Sequence, residues 1–281
     1  MNNEVTIVKA NGEKEIFSET KLRASLDRSG ATSDVVNEII DEIMPNLKDG
    51  MTTQEIYTEA FKLLKKRDKK EVAARYSLKR ALVEFGPTGF PFEKFVAEIF
   101  KAKGYKTETG LMIEGECTTH EIDVLAWNDK EFYVLEAKFH HDLGFRNDLK
   151  VALYVKARLD DLHATGFGER FSDKMEHHCG IITNTSFTTN AHRYASCAGV
   201  DLIGWAKPRG ASLQDLIEET GLHPLTCLTT LSKSEKEKIL DQGKVLCREL
   251  EDHEILKSIG MSPAKIGVVR EEMAKLCIPR E

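Results

Sequence analysis

The sequence predicts an α/β protein in three parts: an N-terminal hairpin followed by four helices, a central mixed α/β sheet, and a helical C-terminal appendage. Three observations carry this. Apolar residues alternate around Asn11-Gly12 and then switch to helical spacing as far as Phe85. A Gly/Pro cluster, Gly86-Pro87-Thr88-Gly89, follows, and beyond it strand-like and helix-like segments alternate. From residue 228 onward the spacing is helical again. The expected units are residues 1–86, 90–226 and 228–281.

Asn-Gly is a strong hairpin signal because both turn positions favour positive φ, and residues 5–17 alternate apolar and polar around it, with Val5 and Ile7 before and Ile16 and Phe17 after. From Ser18 a helix carries Leu22 and Leu26 and stops at Gly30. A second helix runs from Ser33 to Met44 and ends at Pro45. A third opens on Thr52-Thr53-Gln54-Glu55, a capping box, with Ile56, Ala60, Leu63 and Leu64 on one side. A fourth spans Glu71 to Phe85. After the linker come a helix from Phe92 to Lys103, the step Gly104-Tyr105, and strands near 110–114, 120–127 and 131–138. A long helix from Leu149 to Leu162, a strand at 180–183, a helix near 188–198 and a strand at 200–203 complete the sheet. The C-terminal part reads as helices at 232–250, 252–258 and 262–276.

Composition fits a globular chain: 41% of 281 residues are hydrophobic and 31% charged, enough to bury a core. A net charge of -6 argues against non-specific coating of nucleic acid, but a local basic groove remains compatible with it. The six cysteines lie far apart with no CxxC pair, which gives neither a zinc ribbon nor a redox motif. The polar start, MNNEVTIVKANGEKE, lacks the apolar core of a signal peptide, and no apolar run approaches the ~20 residues that span a bilayer. A cytoplasmic protein without membrane association is expected.

The chemistry concentrates in Glu121-Ile122-Asp123-Val124 and Val134-Leu135-Glu136-Ala137-Lys138, joined by the polar turn Asn128-Asp129-Lys130. Alternate residues of a strand share a face, so Glu136 and Lys138 point together, as do Glu121 and Asp123. A hairpin setting Asp123 beside Glu136 crowds two carboxylates and an ammonium on one edge. Successive apolar residues (Val124-Leu125, Val134-Leu135) imply strands buried on both faces, where charge without purpose is rare. A bound cation is the simplest remedy for such like charges, and carboxylate oxygens suit Mg²⁺.

These residues resemble the PD-(D/E)XK nuclease superfamily, nearest its Mrr-like restriction-endonuclease branch. The resemblance rests on Phe92-Glu93, then Gly104-Tyr105, Glu121-Ile122-Asp123 and Glu136-Ala137-Lys138 in that order. It implies that Asp123 and Glu136 ligate Mg²⁺, that Lys138 orients or helps deprotonate the nucleophile, and that Glu93 faces the metal from its helix. The superfamily's proline before the aspartate is replaced by Ile122.

A second resemblance covers residues 4–86. Val8-Lys9-Ala10-Asn11-Gly12, Phe17, Lys21-Leu22, Glu55-Ile56-Tyr57 and Ala74-Arg75-Tyr76-Ser77-Leu78-Lys79 are similar to the ATP-cone, the regulatory module of ribonucleotide reductases and their zinc-ribbon repressors. It implies that ATP or dATP binds and changes the oligomeric state, so a homo-oligomer is expected. Lys9 at a strand end and Lys21 in a first helical turn can converge on a polyphosphate. Glu15, Ser18, Thr53 and Tyr57 match pocket-lining positions of the family. Lys9-Ala10 stands where many members have Lys-Arg. No Walker A loop is present, so ATP hydrolysis is not expected.

Lys150, Tyr154 and Arg158 recur every four residues on the long helix and form a polar stripe suited to DNA phosphates or a stacked base, opposite the packing stripe of Val151, Val155, Leu159 and Leu162. The histidine pairs 140–141 and 177–178 offer at most one ligand each and are read as accessory, with His140 near substrate. Ile259 to Val269 bears a faint resemblance to helix-hairpin-helix DNA binders through Lys265 and Arg270. It is read instead as a packing or oligomerisation appendage. The resulting expectation is a nucleotide-regulated, Mg²⁺-dependent DNA endonuclease. The alternative is a non-catalytic ATP/dATP-sensing DNA-binding regulator built on an inactive nuclease fold.

Overall fold

The computed structural model describes residues 5–67, 70–167 and 176–277. Strands β1 (Thr6–Val8) and β2 (Lys14–Ile16) form the expected antiparallel hairpin, with Thr6 opposite Ile16 and Gly12 at φ 81°. Helix α1 (Glu19–Arg28) is capped by Ser18, whose hydroxyl accepts the Lys21 N–H. Helix α2 (Ser33–Ile43) gives way to a 3₁₀ turn at Met44–Asn46 around Pro45. Helix α3 (Thr53–Lys66) opens on a complete Thr52/Glu55 capping box. Leu26, Ile39, Ala60 and Leu64 are fully buried in the core these elements share.

The single fourth helix expected from the apolar spacing is two: α4 (Lys70–Tyr76) and α5 (Leu78–Val83). Between them Ser77 turns its hydroxyl back to the Ala74 carbonyl at 2.8 Å, a local bond that competes with the helical ladder. The break redirects the chain. Leu78, Ala81, Leu82 and Phe85 leave the first core and pack with Phe92 and Phe95 of helix α6 (Phe90–Ala102).

The central sheet contains β3 (Lys106–Glu114), β4 (Thr119–Trp127) and β5 (Glu131–Lys138). The two-residue strand β6 (Arg146–Asn147) leads into helix α7 (Leu149–Ala164). Then come β7 (Glu176–Thr183), β8 (Ser186–Phe187), helix α8 (Thr189–Ala198) and β9 (Val200–Ile203). The strand order is β3-β4-β5-β7-β9, antiparallel among the first three and parallel from β5 onward. β3 begins at Lys106 and runs through Gly110 (φ 64°), a glycine that reads in sequence as a strand boundary. β6 and β8 pair only with each other and are too short to show a period.

Both faces of β4 and β5 are covered. Val124, Leu135 and Ala137 pack toward α6, whereas Leu125, Phe132 and Val134 pack toward α7 and α8. Such two-sided burial explains why the strands read as apolar runs. Helix α9 (Leu213–Thr220), which the spacing did not predict, starts on a Ser212/Asp215 capping box. The helix expected over 232–250 is α10 (Lys233–Leu240) alone, ended at Gly243 (φ 72°) and followed by a 3₁₀ turn at Cys247–Leu250. A bridge from Leu246 to Pro224 holds that turn. Helices α11 (His253–Ser258) and α12 (Pro263–Leu276) close the chain against the α6 side of the core. No helix among the described residues is long and apolar enough to cross a membrane.

Candidate active site and nucleotide cavity

The pairing of β4 with β5 ends at Val124 opposite Leu135, and the next residues outward are Asp123 and Glu136. Where the strands part, an Asp123 carboxylate oxygen accepts the Ala137 backbone N–H at 2.8 Å. Glu136 is 4% exposed and gives one oxygen to Lys138 Nζ at 2.5 Å and the other to the guanidinium of Arg158, itself 5% exposed. Arg158 reaches across from α7 and also donates to the Tyr154 hydroxyl at 2.6 Å.

The carboxylates feel one another. Burial, and then Glu136, push the Asp123 carboxyl up to about 6, against the Ala137 N–H, Lys138 and Arg158. Burial, then Asp123, Glu121 and Glu136, push Glu93 on α6 up to about 7. Burial opposes the charge on Arg158, but Glu136 and Tyr154 outweigh it and raise its pKa. Asp123, Glu136, Lys138 and Glu93 therefore share one electrostatic neighbourhood, although they come from β4, β5 and α6. Both nearby cations pair with Glu136, which leaves Asp123 with a backbone donor and Glu93 facing three acids.

This is a hard-oxygen donor set with repulsion to relieve, and in that sense it suits a divalent ion. Among the described residues no three His, Cys, Asp or Glu side chains are grouped closely enough to hold a metal by themselves. Mg²⁺ commonly takes one or two protein carboxylates and completes its shell with water and substrate phosphate. Asp123 and Glu136 meet that lower requirement, provided Glu136 loosens its hold on Arg158 or Lys138.

The stripe on α7 divides. Lys150 and Tyr154 are exposed, the tyrosine at 52%, but Arg158 turns inward to Glu136 and presents no surface to DNA. Spacing alone missed this role, because its partner lies 22 residues away on a strand. His140 is tethered: its backbone exchanges two hydrogen bonds with the Asn184 side chain, at 2.9 and 2.7 Å, and its ring stacks on Phe145. His178 stacks on Tyr133 with the Glu131 carboxylate at 3.7 Å, and His177 meets His163. Lys265 pairs with Glu235 at 2.6 Å and so serves packing.

In the N-terminal module Glu15 bridges Lys9 at 3.0 Å and Lys21 at 2.9 Å, and the two lysines, Lys21 first, hold its carboxyl low. Two cavities adjoin here. The smaller, about 270 Å³, is lined by Glu15, Ser18, Lys21, Thr53 and Tyr57. The larger, about 600 Å³, shares Thr53 and Tyr57 and adds Lys9, Arg28, Arg75, Lys79 and Arg80. Tyr57 stacks on Tyr76 at 5.0 Å, and the Arg80 guanidinium lies 3.8 Å from the Tyr57 ring centre. Burial pushes both Lys79 and Arg80 down, with Arg80 adding to the effect on Lys79. The larger cavity thus gathers five cationic side chains against one carboxylate, Asp142. Arg80 went unremarked in the sequence, and Arg75, Tyr76 and Lys79 were seen there only as parts of a motif.

Family models match three stretches of the chain: the ATP cone domain at residues 5–84, the restriction endonuclease domain at 87–207, and the AF1548-like C-terminal domain at 223–277. An uncharacterized protein of Archaeoglobus fulgidus is 34% identical over 183 residues, which cover 64% of this chain and 99% of that one. The chain belongs to the AF1548-like family. Among solved structures, a protein of unknown function, AF1548, is 32% identical with a TM-score of 0.54, covering 68% of this chain and 98% of its own. This AF1548-like chain thus joins an ATP cone to a restriction-endonuclease-like domain and a family-specific C-terminal domain.

Proposed function

We propose that the chain is a nucleotide-regulated, Mg²⁺-dependent endonuclease that hydrolyses phosphodiester bonds in DNA. The observation that carries this reading is the meeting of Asp123, Glu136 and Lys138 at the parted ends of β4 and β5. A divalent ion held by Asp123 and Glu136 would supply Lewis-acid stabilisation of the scissile phosphate and acidify a coordinated water. Lys138 offsets negative charge building on the phosphate and orients the attacking water. Glu93, raised to about 7, is poised to accept a proton near neutral pH. Lys150 and Tyr154 offer a cation and a ring on the exposed side of α7 for the DNA backbone. ATP or dATP at the cone, held through Lys9, Lys21, Thr53 and Tyr57, alters assembly or access and takes no part in the chemistry.

Plasmid DNA incubated with the protein and Mg²⁺ tests this. Cleavage that disappears in Asp123→Ala and Lys138→Ala supports it, and cleavage that persists in the double variant removes these residues from the mechanism. One observation favours a second reading, a non-catalytic nucleotide-sensing DNA binder: both oxygens of Glu136 are already engaged by cations. Under that reading DNA binds without being cut, and Mg²⁺ does not bind at Asp123.

A further inference from the structure

The larger cavity is not enclosed by the ATP cone alone. Its second wall comes from the restriction-endonuclease-like domain, through His141, Asp142 and Leu143 of the segment that follows β5 and Trp205 just beyond β9, with Gln214 of α9 beside them. The two domains approach there with little room to spare. A Cβ added to Gly144 would lie 2.7 Å from the Asn11 backbone nitrogen and 2.8 Å from the Ala10 carbonyl carbon. Lys79, on the cone side, donates to the Leu143 carbonyl at 3.4 Å.

That wall is also the direct continuation of the catalytic strand. Lys138 ends β5, His140 is clamped by the buried Asn184, and His141 begins the wall. Within the segment, Asp142 accepts the Gly144 N–H at 2.8 Å and the Phe145 N–H at 3.0 Å, which makes it one small turn. A polyphosphate entering among Lys9, Lys79 and Arg80 competes for the ammonium that holds Leu143, and its charge acts on the one carboxylate in the wall, Asp142. Ligand binding can shift an equilibrium only by touching what differs between states, and this turn is what it would touch.

We propose that the nucleotide site is bipartite, with the 141–144 turn and Trp205 forming its second half, so that a nucleoside triphosphate contacts the nuclease domain directly. The proposal rests on the nucleotide-binding reading above and adds the residues through which occupancy is communicated. Coupling of this kind is reciprocal: whatever factor ATP applies to DNA affinity, DNA applies to ATP affinity.

The chain has two tryptophans, Trp127 and Trp205, which makes the test specific. In the full-length Trp127→Phe variant, titration with ATP is expected to change Trp205 emission saturably, at the affinity calorimetry gives. Hydrogen exchange at residues 139–144 is expected to slow on saturation. His141→Ala and Gln214→Ala, which leave the core intact, are each expected to weaken ATP on the order of tenfold, about 1.4 kcal/mol. ATP binding by calorimetry with unchanged Trp205 emission, unchanged exchange at 139–144 and wild-type affinity in both variants would overturn the bipartite site while leaving the cone a nucleotide binder. Absence of ATP binding altogether would remove both.

Discussion

Arg158 of α7 and Glu136 of β5 form an ion pair in which each side chain is almost wholly buried, at 5% and 4% exposure. It ties the helix covering one face of the sheet to the acid at the heart of the candidate site. The same bond holds Glu136 in place and competes with any cation that would use it.

Removing one partner of such a pair strands the other charge. Arg158→Ala is expected to cost about 3–5 kcal/mol in chemical denaturation. Arg158→Met combined with Glu136→Leu is expected to recover most of the loss. If Glu136 is a metal ligand, Mg²⁺ raises the melting temperature of Arg158→Ala by more than that of the wild type, because the ion replaces the missing cation. Equal shifts in the two proteins would count against that role.

The raised Asp123 carboxyl carries a sign. With its folded pKa near 6 against an ordinary 3.8, the folded chain binds more protons than the unfolded one between those values. Stability therefore falls as pH rises through that window, and the penalty is fully present above about 6. Asp123→Asn is expected to melt a few degrees higher than the wild type at pH 7.5 without divalent ions, on the scale of ~2–4 °C per kcal/mol for a chain of this order. At pH 4 the advantage disappears. Thermal melts across pH check it.

Protons and metal compete for the same oxygens. Mg²⁺ binding is expected to release protons at pH 6.5 and to weaken below about 6, where Asp123 and Glu93 hold theirs. Calorimetry in two buffers of different ionisation enthalpy measures the release. Glu93→Gln removes the group that titrates near 7, so the number of protons released at pH 6.5 is expected to fall.

Gly144 is required by space. Gly144→Ala sets a Cβ against the Ala10–Asn11 backbone, and overpacking of that kind typically costs about 1–3 kcal/mol. Denaturation of the variant reads this directly. Gly12→Ala, where no neighbour lies within 4 Å of the added atom, bears only the strain of its positive φ.

What could be read in the sequence is what short-range rules encode. The Thr52/Glu55 box, the Asn11-Gly12 turn and the two-residue alternation of Glu136 and Lys138 each depend on neighbours within four residues. The break at Ser77 was hidden because apolar spacing continues from Val72 to Leu82 while the buried partners change from one core to another. Gly243 is a visible stop signal that the helical spacing over 232–250 outweighed, and the Ser212/Asp215 box is a visible start signal in a stretch to which the spacing assigned no element. Arg158 sits four residues after Tyr154, as a surface stripe would require, and only contact with β5 reveals its inward turn. The cavity joins positions 9, 79, 142 and 205, which no local pattern connects.

The proposed chemistry depends on a divalent ion shared by Asp123 and Glu136. Mn²⁺ titration followed by electron paramagnetic resonance, with duplex DNA present and Lys138→Ala used to prevent turnover, measures that most directly. One tight site is expected, weakened at least tenfold by Asp123→Asn and by Glu136→Gln, a loss of about 1.4 kcal/mol or more. Binding that is absent, or indifferent to both substitutions, would contradict the account.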